Sequence, residues 1–201
     1  MKQLVLLTKP SLPVPDDADA ILIDALSLAT LSPSLRADPR LIPMVEADDH
    51  PSALVGLDAA MTIKPSTIIL RGTTGTPDIQ QLSARLAVRE AEHDWPDGGI
   101  GIIAVFGDTA ASVRSLSVPW PALRRLKGLI FSAERLNTLL IGELAPTPEQ
   151  WPDPLRLARS LTILRGTEIN VPTYDVLLDT DKITAREHAE RDGFSGFVLP
   201  L

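Results

Sequence analysis

The stretch TIILRGTTGTPDIQQLSARLAVREAEHDWPDGGIGIIAVF, Thr67 to Phe106, decides the fold. It opens on an unbroken apolar run, Thr67 to Arg71, and turns through Gly72 to Thr76. Apolar residues then recur at three- and four-residue intervals from Asp78 to His93, and a second unbroken run follows, Ile100 to Phe106. Three-to-four spacing is the helix period, and short unbroken runs bounded by turn residues read as strands buried on both faces. Strand, helix and strand in that order form a parallel pair joined by a crossover, which needs cover on both sides of its sheet.

Working outward, the same grammar repeats. Further apolar runs stand at Gln3 to Leu7, Ala20 to Asp24, Leu41 to Val45, Gly128 to Ser132, Val171 to Val176 and Gly196 to Leu199, which makes eight candidate strands. Helical spacing recurs at Ala110 to Lys127, Ala133 to Leu144, Pro154 to Glu168 and Lys182 to Asp192. Eight strands alternating with helices predict an α/β fold, a (β/α)8 TIM barrel, with residues 1–201 as a single domain. The connections KPSLPVPDD (Lys9 to Asp17) and LSPSLRADP (Leu31 to Pro39) are too proline-broken for full crossover helices. The outer helical ring is therefore expected to be incomplete beside the first three strands, and that flank to be exposed or covered by another subunit.

Composition bounds the function. The chain has 201 residues, 26 acidic against 19 basic, a net charge of −7, and no cysteine. The charge argues against nucleic acid and anionic membrane surfaces as partners. The missing cysteines exclude disulfides, thiolate metal sites and cysteine nucleophiles. The apolar run near the N-terminus is too short for a signal peptide, and no stretch reaches the roughly 20 apolar residues of a spanning helix. A cytoplasmic protein is the expectation.

Several motifs read as structural. GTTGT at Gly72 to Thr76 stands where a phosphate loop would, but it lacks a P-loop lysine and dinucleotide-site spacing, so it reads as a plain strand-to-helix turn. GGIG at Gly98 to Gly101 precedes its strand instead of following it. Glu90 and His93 form a single Glu-x-x-His step, where a di-iron bundle needs two, and read as a solvated face. His188 and Asp192 read as a surface pair. Trp95, Trp120 and Trp151 stand beside prolines and read as loop packing.

The carboxyl ends of the strands are more informative, because parallel barrels build their active sites there. Asp24 ends the second strand and Arg71 the fourth; Asp108 and Thr109 follow the fifth. Ser132 ends the sixth and leads to Glu134 in the next helical turn. Asp175 lies in the seventh strand, with Asp179 beyond it. Converging on one mouth, the carboxylates would suit a hard cation such as Mg²⁺, and Arg71 a substrate carboxylate. The alternative is that they cap helices and close ion pairs.

The order of segments resembles the HpcH/HpaI aldolase and citrate lyase β-subunit superfamily. ADAILIDALSLA (Ala18 to Ala29) is similar to its acid-rich second-strand segment, and IIAVFGDTAASV from Ile102 occupies the place of its fifth-strand motif. KGLIFSAERLNTLLIG (Lys127 to Gly142) is similar to its sixth-strand segment. NVPTYDVLLD (Asn170 to Asp179) and DGFSGFVLP (Asp192 to Pro200) resemble the last two. The resemblance implies a TIM barrel, an oligomer, and carbon–carbon bond cleavage or formation next to a carbonyl. That chemistry usually uses Mg²⁺ and often acyl-CoA thioesters, the metal polarising a 2-oxo acid or enolate oxygen.

The departures are informative too. Asp108 stands in the place of the family's fifth-strand metal glutamate, and Arg135 in that of its sixth-strand metal aspartate. Leu26 and Ser27 replace a Glu-Asp pair, Gly72 and Thr74 replace Lys and Glu, and Glu46 lies where an arginine is usual. The chain reads as short for the family, stopping at its eighth strand. The leading expectation is a divergent barrel that has lost most of the metal-dependent site and serves as a binding or assembly protein, or acts on an altered substrate. Its partners would be a small carboxylate or acyl-CoA, with no cofactor. The alternative is an active lyase, with Asp108 and Glu134 as metal ligands or general acid and base, Arg71 as catalytic or substrate-binding group, and Thr109, Ser132, Asp24 and Asp175 around the substrate. A third class is a structural subunit paired with a full-length homologue. The expected assembly is a dimer or trimer, with Leu12 to Pro15 and Phe197 to Leu201 at the interface.

Overall fold

In the computed structural model, the described residues are 1–9, 12–47, 51–107, 109–116, 119–140, 150–176 and 181–201. Eight strands run β1 (Lys2–Leu7), β2 (Ala20–Asp24), β3 (Leu41–Glu46), β4 (Thr67–Arg71), β5 (Gly101–Phe106), β6 (Leu126–Ser132), β7 (Thr173–Val176) and β8 (Gly196–Pro200). Each pairs in parallel with its sequence neighbours, and β8 returns to β1 with Lys2 opposite Gly196 and Leu6 opposite Pro200. The result is the closed barrel expected from the alternating pattern.

Two-residue periodicity sorts every strand into an inner and an outer face. Leu22, Met44, Ile69, Val105, Ile130 and Val198 are among the side chains that fill the interior, whereas Val5, Ile21, Ile23, Val45, Ile68 and Ile102 join the layer between barrel and helices. The runs are apolar throughout because both faces are buried. Tyr174 occupies the interior on the side away from the strands' carboxyl ends. Its ring needs glycine as a neighbour: a Cβ on Gly196 would lie 2.8 Å from Tyr174 Cδ1 and 2.5 Å from the Lys2 carbonyl oxygen.

The helices are α1 (Pro33–Arg36), α2 (Pro51–Met61), α3 (Thr76–Glu92), α4 (Ala110–Leu116), α5 (Glu134–Leu140), α6 (Asp153–Glu168) and α7 (Lys182–Asp192). Helix α7 matches its predicted span, begins on Asp181, whose carboxylate accepts from the amides of Ile183 and Thr184, and ends on Gly193 at φ +93°. Helix α3 starts on GTTGT. There Asp78 accepts from the Thr74 amide at 2.6 Å and the Thr74 hydroxyl at 2.8 Å, so the turn's own carboxylate takes the place an anion would have.

One expected helix needs correction, one helix is additional to those expected, and one expected helix is described only in part. The segment Ala110 to Lys127 is not one helix: α4 ends at Leu116, and β6 already begins at Leu126. Pro119 and Pro121 stop the helix, Trp120 Nε1 donates to the Ser115 carbonyl, and Arg165 donates to that of Leu116. Helix α2 was missed by periodicity. The helix predicted at Ala133 to Leu144 is α5 to Leu140, and residues 141–149 lie outside the described residues.

The thin ring is real, but its consequence differs from expectation. The β1–β2 connection holds no helix among its described residues, and the β2–β3 connection holds only a 3₁₀ turn, Ala25–Thr30, and the single turn α1. Yet the outward residues Val5, Leu7, Ile21, Ile23, Leu41 and Val45 are all buried. Leu28 and Leu31, with Leu12, Val14 and Leu35 packed alongside, belong to the same apolar layer, so the chain's own loops do the covering. None of the described helices is long and apolar enough to cross a membrane.

Candidate functional site at the barrel mouth

Counting in twos from Leu22, Met44, Ile69 and Ile130 puts Asp24, Glu46, Arg71 and Ser132 on the inner face at the carboxyl ends of β2, β3, β4 and β6. Below them lies a cavity of about 100 Å³. Leu22, Met44, Ile69, Val105, Ile130 and Val198 form most of its wall, and its polar lining is Arg71, Ser132 and Glu134, the last from the first turn of α5. Ser132 and the end of β5 approach closely because Gly107, at φ +96°, has no side chain: a Cβ there would sit 2.4 Å from the Ser132 carbonyl oxygen.

Arg71 is already engaged. Glu46 and Arg71 face each other in the β3–β4 register, and Nη2 of the arginine meets Oε1 of the glutamate at 2.9 Å. Both side chains are about one-third exposed, so the pair stands on the rim in partial contact with water. Asp24 turns to local duty: its carboxylate accepts from the Leu26 amide at 2.9 Å and caps the 3₁₀ turn. Thr109 likewise caps α4, its hydroxyl accepting from the Ser112 amide at 3.0 Å, and it does not line the cavity. Asp108 and Asp179 lie outside the described residues, as does the side chain of Arg135.

Asp175 does not reach the mouth. Its neighbours Tyr174 and Val176 face inward, so Asp175 faces outward into the helix layer, fully buried. There Arg159 of α6 donates to its Oδ2 from Nε at 3.0 Å and Nη2 at 2.5 Å, and also pairs with Asp192 of α7. Burial pushes the Asp175 carboxyl up, and the Arg159 guanidinium opposes it. The Glu-x-x-His step is also not the solvated face expected. Glu90 is buried, takes the Arg125 guanidinium on both carboxylate oxygens, and accepts from the amides of Gly98 and Ile100. His93 stacks on Trp95 instead. Asp192, expected to pair with His188, bonds Arg191 and Arg159.

A Mg²⁺ ion asks for near-octahedral oxygen donors, usually with one or two free carboxylates. Among the described residues the mouth offers Glu134, a Glu46 committed to Arg71, and an Asp24 committed to a cap. No group of three or more His, Asp or Glu side chains able to hold a metal occurs among the described residues. The described donor set does not fit the ion.

Sequence reasoning missed the Glu46 partnership and the apolar floor beneath the rim. Both carried a signal, since Glu46 lies two residues beyond Met44 and the runs are apolar at every inward position.

The architecture, a closed eight-stranded parallel barrel, is shared with several solved structures. The citrate lyase β subunit of Mycobacterium tuberculosis superposes with a TM-score of 0.71 at 19% identity, over 100% of this chain and 92% of that one. RipC from Yersinia pestis gives 0.68 at 18%, covering 100% and 89%. Malate synthase from Haloferax volcanii gives 0.70 at 14%, covering 100% and 69%. The M. tuberculosis protein has also been solved with magnesium and pyruvate. No protein-family model matches the chain, and no curated protein matches it significantly. At these identities the likeness establishes the fold, which agrees with the resemblance read from the order of segments.

Proposed function

We propose that this barrel is a divergent, citrate-lyase-like binding protein that takes a small carboxylate at its mouth through Arg71, without the metal-dependent carbon–carbon chemistry that the resemblance implies. The observation that carries the reading is the mouth's composition: one arginine at the rim beside Ser132 and Glu134, above a wall that is apolar among the described residues, with Glu46 spent on a pair and Asp24 on a cap. A guanidinium offers a planar fork of donors to a carboxylate, and its value rises where the ligand shields it from water. The chain's negative charge leaves nucleic acid as a poor alternative occupant.

Titration calorimetry and NMR shift mapping with acetate, pyruvate and oxaloacetate test this. Binding should be measurable for the wild type and reduced at least tenfold in Arg71→Ala, while added Mg²⁺ should give no micromolar binding isotherm. Unchanged binding in the variant would remove Arg71 from the site. Micromolar Mg²⁺ affinity together with turnover of a 2-oxo acid would favour the second reading, a carbon–carbon lyase using Asp108 and Glu134. That reading draws its support from the place of Glu134 in the cavity lining.

A further inference from the structure

We infer that the mouth selects a monocarboxylate with a short aliphatic tail, of about three or four carbons beyond the carboxyl group, in preference to a dicarboxylate or an acid with a polar group at the far end of its tail. The inference rests on the reading that Arg71 holds the carboxylate, and it adds what the rest of the cavity recognises.

The polar groups that line the cavity stand at its rim, on the last residues of β4 and β6 and the first turn of α5. Ile69 lies two residues back from Arg71 on the same inner face, and Ile130 two residues back from Ser132. Two strand residues span about 7 Å. A carboxylate held at the Arg71 guanidinium therefore sits above a floor with no polar side chain among the described residues: Leu22, Ile69, Val105, Ile130 and Val198 are all apolar and almost wholly buried. The remainder of a ligand anchored there either projects into water or enters this pocket.

Size and chemistry of the pocket set what can enter. Its volume of about 100 Å³ equals about three groups of water size at about 30 Å³ each. Methylenes and a methyl fit such a space and gain by leaving water. A hydroxyl or charge carried at the far end of that tail would lose its water with no donor among the described floor residues to replace it, and an unpaired buried polar group is costly. The rim glutamates add to the selection. Glu46 sits against Arg71 and Glu134 lines the cavity, so a second carboxylate on the ligand would meet two negative charges. One carboxylate and an apolar tail match the site; dicarboxylates do not.

The test is a chain-length series on the wild-type protein, measured by NMR titration or calorimetry: acetate, propionate, butyrate, pentanoate and hexanoate, with 4-hydroxybutyrate and succinate as controls. Affinity should rise about three- to fourfold per added methylene, the gain expected for a buried CH₂, and stop rising at butyrate or pentanoate. Butyrate should bind at least tenfold more tightly than 4-hydroxybutyrate and succinate. Val105→Leu, which adds one methylene to the floor, should move the plateau down by one carbon and leave acetate unaffected. A flat series, or 4-hydroxybutyrate equal to butyrate, with Arg71→Ala still abolishing binding, overturns the tail selection and leaves the carboxylate site standing. Absence of binding by every acid, or binding indifferent to Arg71→Ala, overturns the carboxylate reading itself.

Discussion

At the scale of single residues, the Arg71–Glu46 pair decides how strong the mouth is as an anion site. Glu46 neutralises the guanidinium, takes up one of its donors and presents a negative charge to any incoming carboxylate. Rim pairs of this exposure are worth up to about 1 kcal/mol, so relieving the competition has a bounded effect. Glu46→Gln should tighten carboxylate binding by about fivefold while leaving thermal stability within a degree or two, measured by parallel titrations and melting curves. Weaker binding in this variant would mean that Glu46 positions the arginine for its ligand. The pair shows what was legible in sequence and what was not. Strand ends and their polar residues could be read directly, and Arg71, Ser132 and Glu134 do meet at one cavity. Asp175 was misassigned because proximity to a strand end was taken without parity. Counting back from Val176 turns it away from the mouth and toward Arg159. Asp24 and Thr109 illustrate the other ambiguity: an oxygen at a strand end serves the next helical turn as readily as a ligand, and a backbone amide in reach settles the matter.

At the scale of elements, buried ion pairs fasten the helices to the barrel. Glu90 on α3 reaches Arg125 just before β6, and although burial pushes its carboxyl up, the Arg125 fork and two backbone amides hold it below the ordinary range. Removing one partner strands the other charge, which typically costs about 3–5 kcal/mol. Arg125→Met should lower stability by about that amount in urea unfolding, and a loss below about 1 kcal/mol would show that Gly98 and Ile100 suffice to hold Glu90. The second fastening joins α6, β7 and α7 through Arg159, Asp175 and Asp192. The Arg191 guanidinium, against the opposing effect of burial and with help from Arg159, holds the Asp192 carboxyl at about 2, down from 3.8. Because the folded value lies below the unfolded one, its stabilisation is present above about pH 4 and disappears as pH falls through about 2. Asp192→Asn should therefore cost about 1–2 kcal/mol at pH 6 and only a few tenths of a kcal/mol, roughly, at pH 2, measured by chemical unfolding across that range; a pH-independent loss would assign the residue to packing. Neither fastening was visible in the sequence, since a carboxylate and an arginine 35 residues apart show no periodicity.

At the scale of the whole molecule, the fold was legible because eight doubly buried strands leave eight apolar runs, and all eight predicted strands fall within two residues of the observed ones at both ends. The seventh strand, read as Val171 to Val176, differs only in starting at Thr173, and the first two positions of the predicted sixth are preceded by Leu126 and Lys127. Helix α2 escaped notice because Leu54 and Val55 are exposed while Ala53, Leu57 and Ala60 are buried, which leaves it apolar on both faces and without an amphipathic signature. Proline content correctly marked the connections that hold no full helix, but not what those connections do.

That last point carries a test of assembly. An interface at Leu12 to Pro15 was expected because strands without helices behind them should expose apolar backs, and such patches are commonly buried by a second subunit. The backs of β1, β2 and β3 are instead sealed from within, with Leu12 and Val14 packed on the layer that holds Val5, Ile21, Ile23 and Val45. Barrel closure is likewise internal: β8 pairs with β1 along five registered positions, the Leu201 amide donates to the Leu6 carbonyl, and the Thr8 amide donates back to that of Leu201. Leu12 is thus a part of the barrel's own wall. A charge placed there loses its packing and must be drawn out of a half-buried position, at a cost of about 1–3 kcal/mol. Leu12→Asp should lower the melting temperature by several degrees while light scattering returns the same mass as for the wild type, whatever that mass is. A variant that keeps its melting temperature but halves its mass would place this segment in a subunit interface and restore the expectation drawn from the prolines.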